Sequence, residues 1–126
     1  MKPITRAFLN RLANRIYDPK KPERYLRLCK GTLANWPDPE NKRRRMHCGL
    51  GELYFAATGK QPDEIDEYDV CRVITNGTEL VPGSEQADDF LDAIEQVPYE
   101  NDCSSGYKTR ARRVAKLLRK AAGFLK

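Results

Sequence analysis

Histidine is scarce in this chain of 126 residues: there is one, His47, beside one tryptophan and two methionines. A zinc site needs thiolate and imidazole ligands in tetrahedral array. Cys29, Cys48, Cys71, Cys103 and His47 supply such atoms, yet no two of the cysteines have the short spacing of a zinc knuckle. Neither a metal nor a cofactor is expected. Long apolar runs are missing too, none approaching the roughly 18 residues of a membrane span. Arg6, Asn10, Arg11 and Arg15 interrupt the start of the chain, so no secretory leader is read there. Without one, the four cysteines are expected as reduced thiols. Repeats and low-complexity tails are also absent.

Acidic residues are nearly missing from both ends. Residues 1–48 carry thirteen Lys/Arg against four Asp/Glu, a net of +9. Residues 49–106 carry two against fourteen, a net of −12, and residues 107–126 carry eight and no acid. The formal net charge of +5 therefore hides a basic–acidic–basic order. In a folded chain the basic ends can pair with the acidic middle, so a high pI does not by itself establish a nucleic-acid partner.

The stretch Met46 to Lys60 is the most specific element. Leu50, Leu53, Tyr54 and Ala57 recur at i, i+3, i+4 and i+7, one apolar face of a helix. Gly59 suits the left-handed cap that ends it. Gly49 and Gly51 are poor helix formers, and their expected use is to let another backbone come close. A first helix is expected from Pro3 to Ile16, with proline at its opening position. A second is expected from Pro22 to Cys29 or Lys30, and an extended or loop-like stretch through Leu33, Trp36, Pro37 and Pro39. Asn76-Gly77 between the runs Val70 to Thr75 and Thr78 to Val81 predicts a β-hairpin. Asn76-Gly77-Thr78 also matches a glycosylation acceptor, but reads more simply as that turn. Ser84 can cap a helix carrying Phe90, Leu91, Ile94 and Val97, ended by Pro98. A polar loop from Tyr99 to Gly106 precedes a last helix with the apolar stripe Val114, Leu117, Leu118, Ala121 and Leu125. The expected architecture is a single compact α+β domain over 1–126, mainly α, with about five helices and one small β-hairpin.

Three groups of residues are candidates for function. Arg43, Arg44 and Arg45 form the densest charge run, and arginine grips phosphate in bidentate fashion; a solvated loop facing the acidic segment is the plainer reading. The last helix carries Arg110, Arg112, Arg113, Lys116, Arg119 and Lys120 over most of its surface, a face suited to the acidic middle, a phosphate backbone or an anionic membrane. The stripe lacks large aromatics, so no membrane partner is expected. Aromatics are not interleaved with these cations either, so any nucleic-acid contact would be mainly electrostatic. Cys48, in the first turn of its helix, is the candidate for thiol chemistry, because the helix dipole and nearby arginines favour thiolate. Its neighbour His47 is poorly placed as a base, since successive helical residues point about 100° apart. A small buried hydrophobe at a tight contact is the better account of Cys48, and the chain is expected to be non-enzymatic. Asn101 and Asp102 are expected to tie their loop to the start of a helix by hydrogen bonds.

The helix opening Cys48-Gly49-Leu50-Gly51-Glu52-Leu53, the upstream Lys30-Gly31-Thr32-Leu33 and the late Asn101-Asp102 pair resemble a group of small uncharacterised bacteriophage and prophage proteins. The likeness covers the layout from about residue 25 onward, and the chain departs from the group at His47 and in its run of arginines. It implies a phage setting and action in the bacterial host cytoplasm, on a host protein or ribonucleoprotein complex. Small phage proteins of this size include inhibitors of bacterial defence such as anti-CRISPR proteins. The reading from sequence is therefore a phage-encoded interaction protein that binds a host macromolecule. Its alternatives are a sequence-nonspecific nucleic-acid-binding protein and a cysteine-dependent enzyme at Cys48.

Overall fold

The computed structural model describes residues 1–35 and 45–126. Helix α1 spans Arg6–Ile16, and Thr5 caps it by accepting from the Phe8 N–H at 3.1 Å. Pro3 thus lies ahead of the helix rather than in its first turn. Two short strands, β1 (Ala34–Asn35) and β2 (Met46–His47), pair antiparallel with Ala34 opposite His47 and Asn35 opposite Met46. Helix α2 covers Gly49–Thr58 and ends at Gly59, whose φ of 73° is the left-handed cap that glycine takes without strain. Helices α3 (Glu67–Asn76), α4 (Glu85–Cys103) and α5 (Tyr107–Ala122) follow. The fold is mainly α with a small β-hairpin, as the sequence predicts.

Three elements differ from expectation. Residues 22–30 are not helical. Their backbone is spent on other segments: Leu26 N–H donates to the Ile16 carbonyl, Cys29 N–H to that of His47, and the Leu28 and Cys29 carbonyls accept from side chains of α5 and α4. A helix would consume those groups internally. The predicted hairpin at Asn76-Gly77 is instead α3, and the strands lie elsewhere. Asp66 caps α3 through the Asp69 N–H at 2.8 Å, and Val70, Cys71 and Ile74 bury one face. Gly77 closes it, with its N–H on the carbonyls of Val73 and Ile74. Helix α4 also runs through Pro98 to Cys103. Proline has no N–H for the carbonyl four residues earlier, but the extra turn delivers Asn101 to the core.

Helix α5 packs along both α1 and α4. Val114 and Leu118 of α5 are fully buried, as are Phe90, Ile94 and Val97 of α4 and Leu9 and Ile16 of α1. The first turn of α2 is driven into this core. A Cβ on Gly49 would stand 2.6 Å from a methyl of Val114, and one on Gly51 would stand 2.0 Å from the Leu33 carbonyl oxygen. Both glycines serve close approach.

Candidate cationic interface

The side chains that fix α5 in place also decide which of its cations remain outside. Arg110 is 7% exposed and turned inward. Its guanidinium donates to the carbonyls of Asn101 (2.9 Å), Leu28 (2.6 Å) and Ser104 (3.2 Å). Five N–H groups in a rigid fork suit such a cluster of acceptors. Arg119 reaches α1, donating to Asn14 Oδ1 (2.8 Å) and to the Tyr17 carbonyl (2.7 Å). From the other side Arg6 Nε donates to the Ala122 carbonyl at 3.3 Å. Arg110 and Arg119, both expected on a binding surface, are therefore internal ties.

Arg112, Arg113, Lys116 and Lys120 point outward and are exposed. Arg112, Lys116 and Lys120 are spaced four apart, so they line one ridge of the helix. None of those three makes an ion pair or hydrogen bond among the described residues. Arg113 bonds to Ser104 Oγ at 3.3 Å and lies 4.0 Å from Glu100. The exposed acids of α4, Asp88, Asp89, Asp92 and Glu95, have no ion pair with this ridge. The charges of these acids and of the ridge are therefore not spent on each other.

Of the arginine run, Arg43 and Arg44 lie outside the described residues. Arg45 is held by Asp63 and by Gln61 Oε1 at 3.5 Å, its side chain only 12% exposed. It is a support for the loop after α2, not a free phosphate contact. The cations on α1 are not among the candidates that the sequence pointed to. Arg11 is exposed and without a partner among the described residues, and Arg15 lies with it on the side of α1 that faces α2. Their spacing of four, off the apolar face of α1, was the available signal.

Cys48 does not have the surroundings of a nucleophile. Its Sγ caps α2 by accepting from the Gly51 N–H at 3.3 Å, and burial pushes the thiol pKa up to about 12. His47 turns away from it. The imidazole Nδ1 faces Glu52 Oε2 and Nε2 faces Gln61 Oε1, each at 2.8 Å, with the ring stacked on Phe55. Glu52 is itself bonded to Arg15 at 3.2 Å. No thiol–imidazole pair forms, and a base within hydrogen-bond reach is what thiol catalysis requires. Burial likewise raises the thiols of Cys29 and Cys71. Among the described residues no three His, Cys, Asp or Glu side chains converge to hold a metal, and no helix is long and apolar enough to cross a membrane.

Asn101 holds the first turn of α2, as its position in the sequence led us to expect. Its Oδ1 accepts from the Gly49 N–H (2.9 Å) and its Nδ2 donates to the Cys29 carbonyl (2.7 Å), while Asp102 accepts from the Gly31 N–H (2.9 Å). The chain matches no protein-family model, and neither curated proteins nor solved structures yield a similar protein.

Proposed function

We propose that this chain is a non-enzymatic interaction protein that binds a host macromolecule through the cationic ridge of α5. The observation that supports it is the unspent charge of Arg112, Lys116 and Lys120, exposed together while other arginines of the same helix are consumed by internal carbonyls. Side chains so arranged recognise a regular array of anions: a phosphate backbone, or a protein surface that presents carboxylates as densely. The finer reading, an inhibitor of a bacterial defence system such as CRISPR acting in the host cytoplasm, rests on the phage resemblance of the Cys48 to Leu53 and Asn101-Asp102 segments.

The test is purification of the tagged chain from bacterial lysate, with and without nuclease, beside the variant in which Arg112, Arg113, Lys116 and Lys120 are alanine. A stoichiometric protein partner that survives nuclease and is lost with the variant identifies the target. Nucleic acid alone, released by moderate salt, makes the chain a sequence-nonspecific nucleic-acid binder. Partners retained undiminished by the variant would refute the ridge as the binding face.

A further inference from the structure

Helices α1 and α2 make little direct contact, and a groove of about 940 Å³ lies between them. Phe8, Arg11, Leu12 and Arg15 line it from α1 at i, i+3, i+4 and i+7. Glu52, Phe55 and Ala56 line it from α2 at i, i+3 and i+4. Helix α1 thus offers about two turns of one face and α2 about one. The floor is apolar, with Leu26 closing it from the adjoining extended segment. The rim is cationic: Arg11 and Lys2 are exposed and their side chains have no partner among the described residues. The one acid that lines the groove, Glu52, is buried and bonded to Arg15 and His47. Glu52 holds one edge of the Arg15 guanidinium, and that side chain is nonetheless 56% exposed.

We infer that this groove docks an acidic amphipathic helix of a protein partner. A helix laid between two helices places apolar anchors at i, i+3, i+4 and i+7 on the floor. Glutamates or aspartates flanking those anchors meet Lys2, Arg11 and Arg15. Charge complementarity selects the acidic partner, and the paired periodic faces select a helix. A second copy of this chain does not fit, because its acidic helix α4 has Phe90, Ile94 and Val97 committed to its own core. The groove is separate from the ridge of α5, so it stands or falls independently of the function proposed above.

The test is selection from a displayed library of helical peptides on the immobilised full chain, counter-selected on Ala56→Trp, which fills the floor. Enriched peptides are expected to carry Leu, Ile or Phe at helical spacing with net negative flanks. One such peptide, labelled for fluorescence anisotropy, should lose about ten-fold or more in affinity with Arg11→Glu, a surface change that leaves packing alone. It should bind unchanged to the variant with Arg112, Lys116 and Lys120 replaced by alanine. Amide resonances of residues 8–15 and 52–59 should shift on binding. Failure to enrich any peptide over Ala56→Trp would overturn the inference, as would enriched peptides that are basic or lack helical spacing. Uptake of sodium dodecanoate in the groove with no peptide enriched would assign it to small anionic amphiphiles instead. Concentration-dependent self-association mapped to the same amides would assign it to a second copy, and also overturns the inference.

Discussion

Replacing Asn101 by leucine keeps the number and branching of the side-chain heavy atoms and removes every polar contact that the side chain makes. The Gly49 N–H, one of the donors that a helix start leaves unsatisfied, loses its acceptor at 2.9 Å, and the Cys29 carbonyl loses its donor at 2.7 Å. Asn101 is fully buried, so water does not replace either partner. Each orphaned group costs about 1–3 kcal/mol, partly offset by the greater burial energy of leucine, for a net loss of about 3 kcal/mol. In urea that lowers the unfolding midpoint by about 1–2 M at an unchanged slope. Amide exchange at Gly49 should accelerate more than exchange in α5. Asn101→Asp supplies a sharper contrast. It retains an acceptor for Gly49, but its carboxylate faces the Cys29 carbonyl and Asp102. Protonated, it offers an O–H to that carbonyl, so its penalty relative to wild type should shrink between neutral pH and about pH 4. A leucine variant within about 0.5 kcal/mol of wild type, a typical surface effect, would refute the claim that Asn101 anchors α2.

Other perturbations test the same framework. Gly51→Ala gains about 1 kcal/mol of helix propensity, yet its Cβ would sit 2.0 Å from the Leu33 carbonyl oxygen; calorimetry should show a net loss of about 2 kcal/mol or more. Arg110→Lys keeps the charge and surrenders the fork that serves three carbonyls, so thermal unfolding should report a loss of about 2–4 kcal/mol. A thiol reagent at neutral pH should modify exposed Cys103 alone, with Cys29, Cys48 and Cys71 protected until unfolding, as read by peptide mass spectrometry. The buried thiols of Cys48 and Cys71 reach about 12 in the folded chain against 9.0 for a free thiol. Folding thus favours the protonated form: their contribution is intact below pH 9.0 and declines as pH rises toward about 12. Stability that stays flat across that window in wild type would contradict it.

The terminal helices were legible because their signals are local and mutually consistent. Ser84 is a sound N-cap, Gly59 is a sound C-cap, and α5 repeats its apolar positions from Val114 to Ala121. The segment 67–76 misled because β-branched Val70, Val73, Ile74 and Thr75 end in Asn-Gly, a pair equally suited to closing a helix. The opposing evidence, Asp66 three residues before Asp69 and the spacing of Val70 and Ile74, is weaker per residue but acts over the whole helix. Residues 22–30 misled for a different reason. Their extended form is set by Arg110 and Asn101, whose partners lie 82 and 72 residues away. No local pattern encodes that. The same long-range ties turned Arg110 and Arg119 from candidate surface cations into internal supports. The groove cations Arg11 and Arg15 gain meaning only once α1 lies beside α2.

The central claim is that Arg112, Arg113, Lys116 and Lys120 bind a polyanion, and a random-sequence duplex followed by fluorescence anisotropy across a salt series tests it most directly. Contacts from those side chains predict binding at about 50 mM salt with a slope of log K against log salt of roughly −3 to −4. The variant with all of them replaced by alanine should retain its fold and lose that slope. An identical slope for the variant would contradict the account, and no binding of wild type at low salt would leave a carboxylate-bearing protein surface as the polyanion.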